Sequence, residues 1–240
     1  MPVFGSLATE GKITAFSGMY GLFMAFKKAV AATLYYLYQY RRELLQALLW
    51  PLLAFIVIDY LSPEEPDSPL WGGLLLVTFI IQVLVATTVH RIVLLGPGSV
   101  PRWGTAGWGR RELRYALHAI GLLLIIIPVA ALAVIPVIGG LLAIAAVTWV
   151  VARLGLVFPA IATDQEFSYK DSWQLTANHQ PLVVLVMVVN TVVLALIPAL
   201  LPRIFPISSL LSLVMVVLQI GLLSMVYQFI VNESNQKPLE

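Results

Sequence analysis

The stretch LLAIAAVTWVVARLGLVFPAIATDQEFSYKDSWQLTANHQ, residues 141–180, decides how the rest of the chain is read. An apolar run meets a single arginine, Arg153, continues apolar to Pro159, turns through a short acidic segment and enters a small amphipathic segment around Trp173. An earlier stretch, TTVHRIVLLGPGSVPRWGTAGWGRRELRY, residues 87–115, has the same layout. Its arginine is Arg91, its proline is Pro97 and its amphipathic segment surrounds Trp108. Apolar runs of this length with one charge near the end are the pattern of helices that cross a bilayer.

The composition agrees. Hydrophobic residues make up 60% of the 240-residue chain and charged residues only 11%, where a soluble domain is about a quarter charged. The solvent for most side chains is therefore lipid. The net charge of +2 points to no nucleic-acid partner. The absence of cysteine excludes disulfides, thiolate metal sites and cysteine nucleophiles. The N-terminal residues 1–16 lack the basic start and apolar middle of a secretory signal, because Glu10 and Lys12 interrupt them.

Six apolar runs are expected to be spanning helices: 44–58, 70–89, 116–135, 141–158, 182–201 and 204–231. None shows the two-residue alternation of a membrane barrel. The fold class is all-α, an integral membrane bundle of six transmembrane helices with interfacial amphipathic helices. Prolines 51, 128 and 198 fall inside runs, where neighbouring helices can re-satisfy the freed carbonyls. Residues 59–69 form an acidic, proline-rich turn, and 136–140 a tight apolar hairpin. Ser168 and Asp171 match a capping box ahead of a short helix.

Before the first run, residues 21–42 place Phe23, Phe26, Val30, Leu34 and Leu37 on one helical face. Lys27 and Lys28 lie mid-segment, where a spanning helix would bury both at several kcal/mol. This segment is expected to lie along the membrane surface, its tyrosines at headgroup depth.

Lysine and arginine concentrate before the first run and in the second and fourth loops. The positive-inside rule then places both termini in the cytoplasm. Arg91 and Arg153 stand 62 residues apart, each six residues before a proline. The chain accordingly divides into a polar lead (1–20), one transmembrane domain (21–232) and a polar tail (233–240). Three helix-hairpin units form a weak internal repeat over about 21–97, 108–160 and 168–231.

The segments HRIVLLGP (90–97) and ARLGLVFPA with SYKDSWQLT (152–176) resemble a family of uncharacterised bacterial inner-membrane proteins. That family is similar to the multi-pass membrane region fused to some glycerophosphodiester phosphodiesterases. In the fused proteins a separate soluble domain carries the chemistry. The resemblance therefore implies a fold and a bacterial inner membrane, and no activity.

Arg153 is the residue most open to a functional reading. An arginine inside a span costs a few kcal/mol unless it is paired or snorkels. It is either a grip for a lipid phosphate or small anion, or a helix-pinning contact. His90 and Arg91 offer a second anion-contacting pair, or ordinary interfacial charge. If equivalent positions of the repeat face one interior, Arg91 and Arg153 meet at a shared inner-leaflet site. Glu112 and Asp164 are candidate counter-ions. Gln82, Asn190 and Gln219 are polar within runs, lining a path or bonding between helices. Trp103, Trp108 and Trp173 read as aromatic-belt residues.

No hydrolase, metalloprotease, P-loop or dinucleotide-binding motif occurs, and His90, His118 and His179 lack metal-ligand spacing. No metal, cofactor or enzymatic activity is expected. The leading expectation is a non-enzymatic protein that organises lipids, anionic ones included, or partner proteins at the cytoplasmic leaflet; self-association is left open. The alternatives are a transporter or exporter of a small or lipidic anion using Arg91 and Arg153, and a membrane enzyme with acids or histidines converging on an arginine.

Overall fold

The computed structural model describes residues 19–63, 68–103, 105, 107–200 and 207–236, with side chains at all of these except 190, 191, 193–200, 207–209 and 236. The polar lead up to residue 18, the acids at 64, 65 and 67, the turn at 201–206 and the last four residues lie outside the described residues, as does the side chain of Asn190.

Among the described residues all regular structure is helical. The helices are α1 (Met19–Gln39), α2 (Arg41–Leu61), α3 (Pro69–Leu95), α4 (Arg110–Ala130), α5 (Gly139–Leu154), α6 (Val157–Ala162), α7 (Tyr169–Leu175), α8 (Gln180–Leu200) and α9 (Ile207–Gln236). Among the described residues, five stretches are long and apolar enough to cross a membrane: Arg41–Leu61, Pro69–Leu95, Arg110–Val134, Gly139–Ala162 and Leu210–Asn235. Within α8, the portion Gln180–Val189 is apolar but shorter than a span. Helix α9 continues through Gln236, into the stretch read as a tail.

Pro51 and Pro128 sit inside α2 and α4 without ending them. Helix α4 begins at Arg110, six residues before the apolar run, so Arg110, Arg111 and Arg114 ride on its first turns. The expected amphipathic segment around Trp108 is not a helix. The described residues from 96 to 109 are irregular, because glycines and prolines recur at 96, 97, 98, 101, 107 and 109 and neither residue supports a helix interior. The corresponding segment around Trp173 is helical, as α7. There Ser168 caps the helix, its Oγ accepting from the Asp171 N–H while the Asp171 carboxylate accepts from the Ser168 N–H at 2.8 Å.

Burial gathers at one end of the bundle. Helix α3 is buried from Val83 to Leu94 on most positions, yet Leu75, Leu76 and Val77 are exposed. Helix α2 is buried at Leu44, Ala47, Leu48 and Pro51 and exposed at Leu53 and Val57. The centre is α6, whose Val157, Ala160, Ile161 and Ala162 are wholly buried among α3, α4 and α9. This packed end carries Arg91, Arg111 and Asp164. The opposite end presents bare apolar side chains, which hydrocarbon solvates as well as a neighbouring helix would.

The hairpin at that far end turns through a 3₁₀ segment, Ala131–Val134. Gly139 is required there: a Cβ would stand 2.4 Å from the carbonyl oxygen of Leu132. Val137, fully exposed, holds φ at 69°, a strained conformation for a β-branched residue.

Helix α1 packs on α9 through small residues together with part of the bulky face, since Phe26, Val30 and Leu37 also pack against the core. Ala25, Ala29, Thr33 and Tyr36 are the buried positions, while Phe23 and Leu34 are 53% exposed. The reason is close approach: a Cβ on Gly221 of α9 would lie 3.2 Å from Thr33 Cγ2 and 3.4 Å from Leu37. Small residues let the two helices approach, Leu37 joins them at the contact, and Phe23 and Leu34 are left outward.

Candidate anion site and the arginine cluster

Arg91 and Arg153 have different surroundings. Arg91 sits inside α3, one turn from its end, and its guanidinium is satisfied by protein. Its Nε donates to the Ser99 carbonyl at 3.1 Å, and Nη1 donates to the Ala162 carbonyl at 3.0 Å and to Asp164 Oδ2 at 2.6 Å. It thus ties α3, the 96–102 turn and the end of α6 together. Asp164, placed at φ 65° directly after α6, also accepts from Arg111 Nη1 at 3.3 Å on both oxygens.

Arg111 is the hinge of this cluster. Its Nε donates to Glu112 Oε1 at 2.8 Å and its Nη2 lies 2.7 Å from the same oxygen. Glu112 is only 1% exposed, and its other oxygen accepts the Gly109 N–H at 3.0 Å, closing the start of α4. Arg114 adds a bond to the Gln165 carbonyl at 2.9 Å, and Gln165 Oε1 accepts from Tyr227 of α9 at 2.6 Å. Four arginine and acid side chains from α3, α4 and the α6–α7 turn therefore form one network at the packed end.

Burial pushes the Asp164 carboxyl upward, but the hydrogen bond from Arg91 and the charges of Arg111 and Arg91 together hold it below the usual carboxylate range. A depressed folded pKa means the pairing supports the fold above the unfolded value, near 3.8, and is lost as pH falls through the folded value. The difference in melting temperature between the wild type and Asp164→Asn should therefore hold constant from pH 7 to about pH 5 and shrink below about pH 4. A difference that stays flat down to pH 3 would mean that Asp164 carries no charge-dependent stability.

His90 faces the other way from its neighbour Arg91. It is fully buried, with Nδ1 2.7 Å from Ser224 Oγ and its ring 6.1 Å from that of Tyr115. Ser224 Oγ also lies 2.8 Å from the Ile220 carbonyl, so the hydroxyl links the His90 ring to the backbone of α9. His90 is thus a core residue joining α3 to α9. Gln82 is exposed on α3, and Gln219 is half-buried with Nε2 lacking a partner.

Arg153 differs from every other arginine in the described chain. It is 5% exposed, on the last turn of α5, and its Nε and Nη1 are buried without a hydrogen-bond partner. Its guanidinium carbon lies 4.3 Å above the Trp173 ring centroid, and Trp149 meets Trp173 edge-on at 5.1 Å. The backbone is held firmly. The Arg153 carbonyl accepts Ser172 Oγ at 2.8 Å and Thr176 Oγ1 at 3.4 Å, from one face of α7. A cation is thus fixed over an aromatic face, with protein holding its backbone while Nε and Nη1 are buried without an acceptor. Such an arrangement suits an oxyanion: phosphate or carboxylate oxygens take guanidinium N–H groups in charge-assisted hydrogen bonds.

The roles of four residues escaped the sequence reading. Arg111 pairs with its own neighbour Glu112 and, across the bundle, with Asp164, and neither spacing is a helical one. Trp173 reads as a belt residue, though its ring is the floor under Arg153. Ser172 and Thr176 carried a usable signal, since their four-residue spacing places two hydroxyls on one face of α7. Among the described residues no group of three or more His, Asp or Glu side chains is placed to hold a metal. No family model matches this chain, and no curated protein or solved structure is detectably similar to it.

Proposed function

We propose that this chain is a non-enzymatic integral membrane protein of a bacterial inner membrane that holds anionic lipid at the cytoplasmic leaflet, with Arg153 as the headgroup contact. The carrying observation is the pair of buried, unpartnered guanidinium nitrogens above Trp173. Measured from Gly139, Arg153 lies about 21 Å along α5 at 1.5 Å per residue, inside a hydrocarbon layer about 30 Å thick. Bulk water is a poor partner at that depth, whereas a lipid phosphate arrives with the bilayer. Trp173, partly exposed and stacked under the guanidinium, suits the boundary between hydrocarbon and headgroups. The transport reading has less support, since Gln82 is exposed rather than lining an interior path. Kinship with the membrane region fused to some glycerophosphodiester phosphodiesterases is part of this proposal and would suit a lipid-facing role.

The test is lipid retention. Wild-type protein extracted in mild detergent should carry phosphatidylglycerol or another anionic phospholipid, and Arg153→Ala should lose about tenfold in affinity for it, the value of one charge-assisted contact. Equal lipid content in the two proteins would refute the site.

The proposal includes six spans, with α8 as the fifth, α1 along the inner surface and both termini cytoplasmic. The arginine asymmetry of the loops supports it. An impermeant thiol reagent should label Ser68→Cys in intact cells and leave Glu166→Cys and Ser234→Cys unlabelled until the membrane is opened. Labelling at Glu166→Cys from outside would reverse the orientation.

A further inference from the structure

A second site lies apart from Arg153, where the start of α2 faces the turn after α3. A cavity of about 330 Å³ opens there, lined by Arg42, Glu43, Gln46, Gly98, Pro101 and Arg102 among others. Its wall is a shaped turn. Gly96 and Gly98 take φ of +88° and +96°, which glycine alone adopts without strain, and Ser99 closes the turn through bonds to the Gly96 carbonyl. The Arg91 Nε–Ser99 bond holds this turn against the bundle. Among the described residues neither Arg42 nor Arg102 makes an ion pair or hydrogen bond through its guanidinium, and Glu43 pairs with nothing. Two unpaired guanidiniums and one unpaired carboxylate thus line the same cavity, with an amide at Gln46 beside them.

We infer that this cavity binds the headgroup of a phospholipid whose phosphodiester carries a hydrogen-bond-donating substituent, an ammonium or hydroxyls. Arg42 and Arg102 take the phosphate oxygens. Glu43 and Gln46 accept from the substituent, a role that a bare phosphate would leave empty and that a carboxylate beside a bare phosphate would oppose. A quaternary ammonium has no N–H to give, so phosphatidylcholine fits worse than phosphatidylethanolamine or phosphatidylglycerol. The lipid is favoured over a free phosphate ester because Tyr40 and Trp103, aromatic residues of headgroup depth, flank the same turn: the Tyr40 hydroxyl lies 3.9 Å from a Cβ at Gly96, and Trp103 follows Arg102. A basic pocket between helices at the cytoplasmic side is a recognised form of headgroup site. The inference rests on the proposed placement of this end at a membrane surface, but not on Arg153.

The experiment titrates the full chain in detergent with phosphatidylglycerol, phosphatidylethanolamine, phosphatidylcholine and, separately, inorganic phosphate, counting bound molecules by native mass spectrometry. It is run in the Arg153→Met background, so that loss of the first site does not obscure the second. The ethanolamine and glycerol lipids should bind at least tenfold more tightly than the choline lipid. Arg42→Gln with Arg102→Gln should weaken both about tenfold or more, and Glu43→Gln should erase the preference for ethanolamine over choline. Arg102→Gln alone, an exposed change on the turn, serves if the double variant does not fold and should give a smaller loss in the same direction. Lipid binding unchanged in the arginine variants overturns the site, as does binding that ignores the headgroup. Inorganic phosphate displacing the lipids overturns the lipid assignment. Because the measurement is blind to orientation and omits Arg153, its failure leaves the Arg153 reading standing.

Discussion

Arg153→Met should raise the melting temperature of the delipidated protein in detergent. Most substitutions at a residue this buried do the opposite. Here the side chain carries a full charge, 5% exposed, with two nitrogens lacking partners. Replacing buried charges with apolar residues of similar volume is often neutral or stabilising by about 1–4 kcal/mol. The loss on the other side is the cation–π contact with Trp173, about 0.5–2 kcal/mol, and methionine recovers part of it through sulfur–aromatic packing. The Ser172 and Thr176 bonds go to the backbone carbonyl and survive the change. The gain should vanish or reverse when anionic lipid is added, because only the wild type then gains a ligand at the Arg153 site. Thermal unfolding with and without phosphatidylglycerol checks both halves. If Arg153→Met lowers the melting temperature equally in both conditions, the arginine is structural.

The largest loss of stability is expected at Arg111. Glu112 is 1% exposed and receives two nitrogens of Arg111 on one oxygen. Arg111→Ala strands that carboxylate, leaving the Gly109 N–H as its remaining recorded partner, and loosens Asp164 as well. Removing one partner of a buried pair costs about 3–5 kcal/mol. Arg111 is 20% exposed, so the lower end of that range applies. A second substitution, Glu112→Gln, should restore much of the loss by removing the stranded charge while keeping an acceptor for Gly109. Thermal unfolding of the single and double variants gives the coupling directly. Purely additive effects would show that the pair is not energetically linked.

The membrane character and the helical class were legible because both rest on local composition. Runs of apolar residues set the spans, and Ser168 with Asp171 set the start of α7. Local rules failed where glycine and proline intervened. The layout shared by residues 87–115 and 141–180 suggested two equivalent units, but Pro97 follows the end of an intact helix whereas Pro159 sits inside short α6, after a break at Gly155 and Leu156. Arg91 accordingly lies within a continuous helix and Arg153 at a helix end, and their partners differ. The bulky face of α1 divides for a related reason: Phe26, Val30 and Leu37 pack against the core while Phe23 and Leu34 stay exposed. Hydrophobicity marks what avoids water, and in a membrane both lipid and protein satisfy that; helix contact selects small residues instead. Pairings such as Arg111 with Asp164, more than fifty positions apart, have no local signature.

The most direct test of the Arg153 reading is the density around its guanidinium when the protein is imaged in nanodiscs containing phosphatidylglycerol. The account predicts a lipid phosphate within hydrogen-bond distance of Nε or Nη1, with the guanidinium still stacked on Trp173. A guanidinium turned onto a protein carboxylate or carbonyl, with no phosphate beside it, would contradict the account.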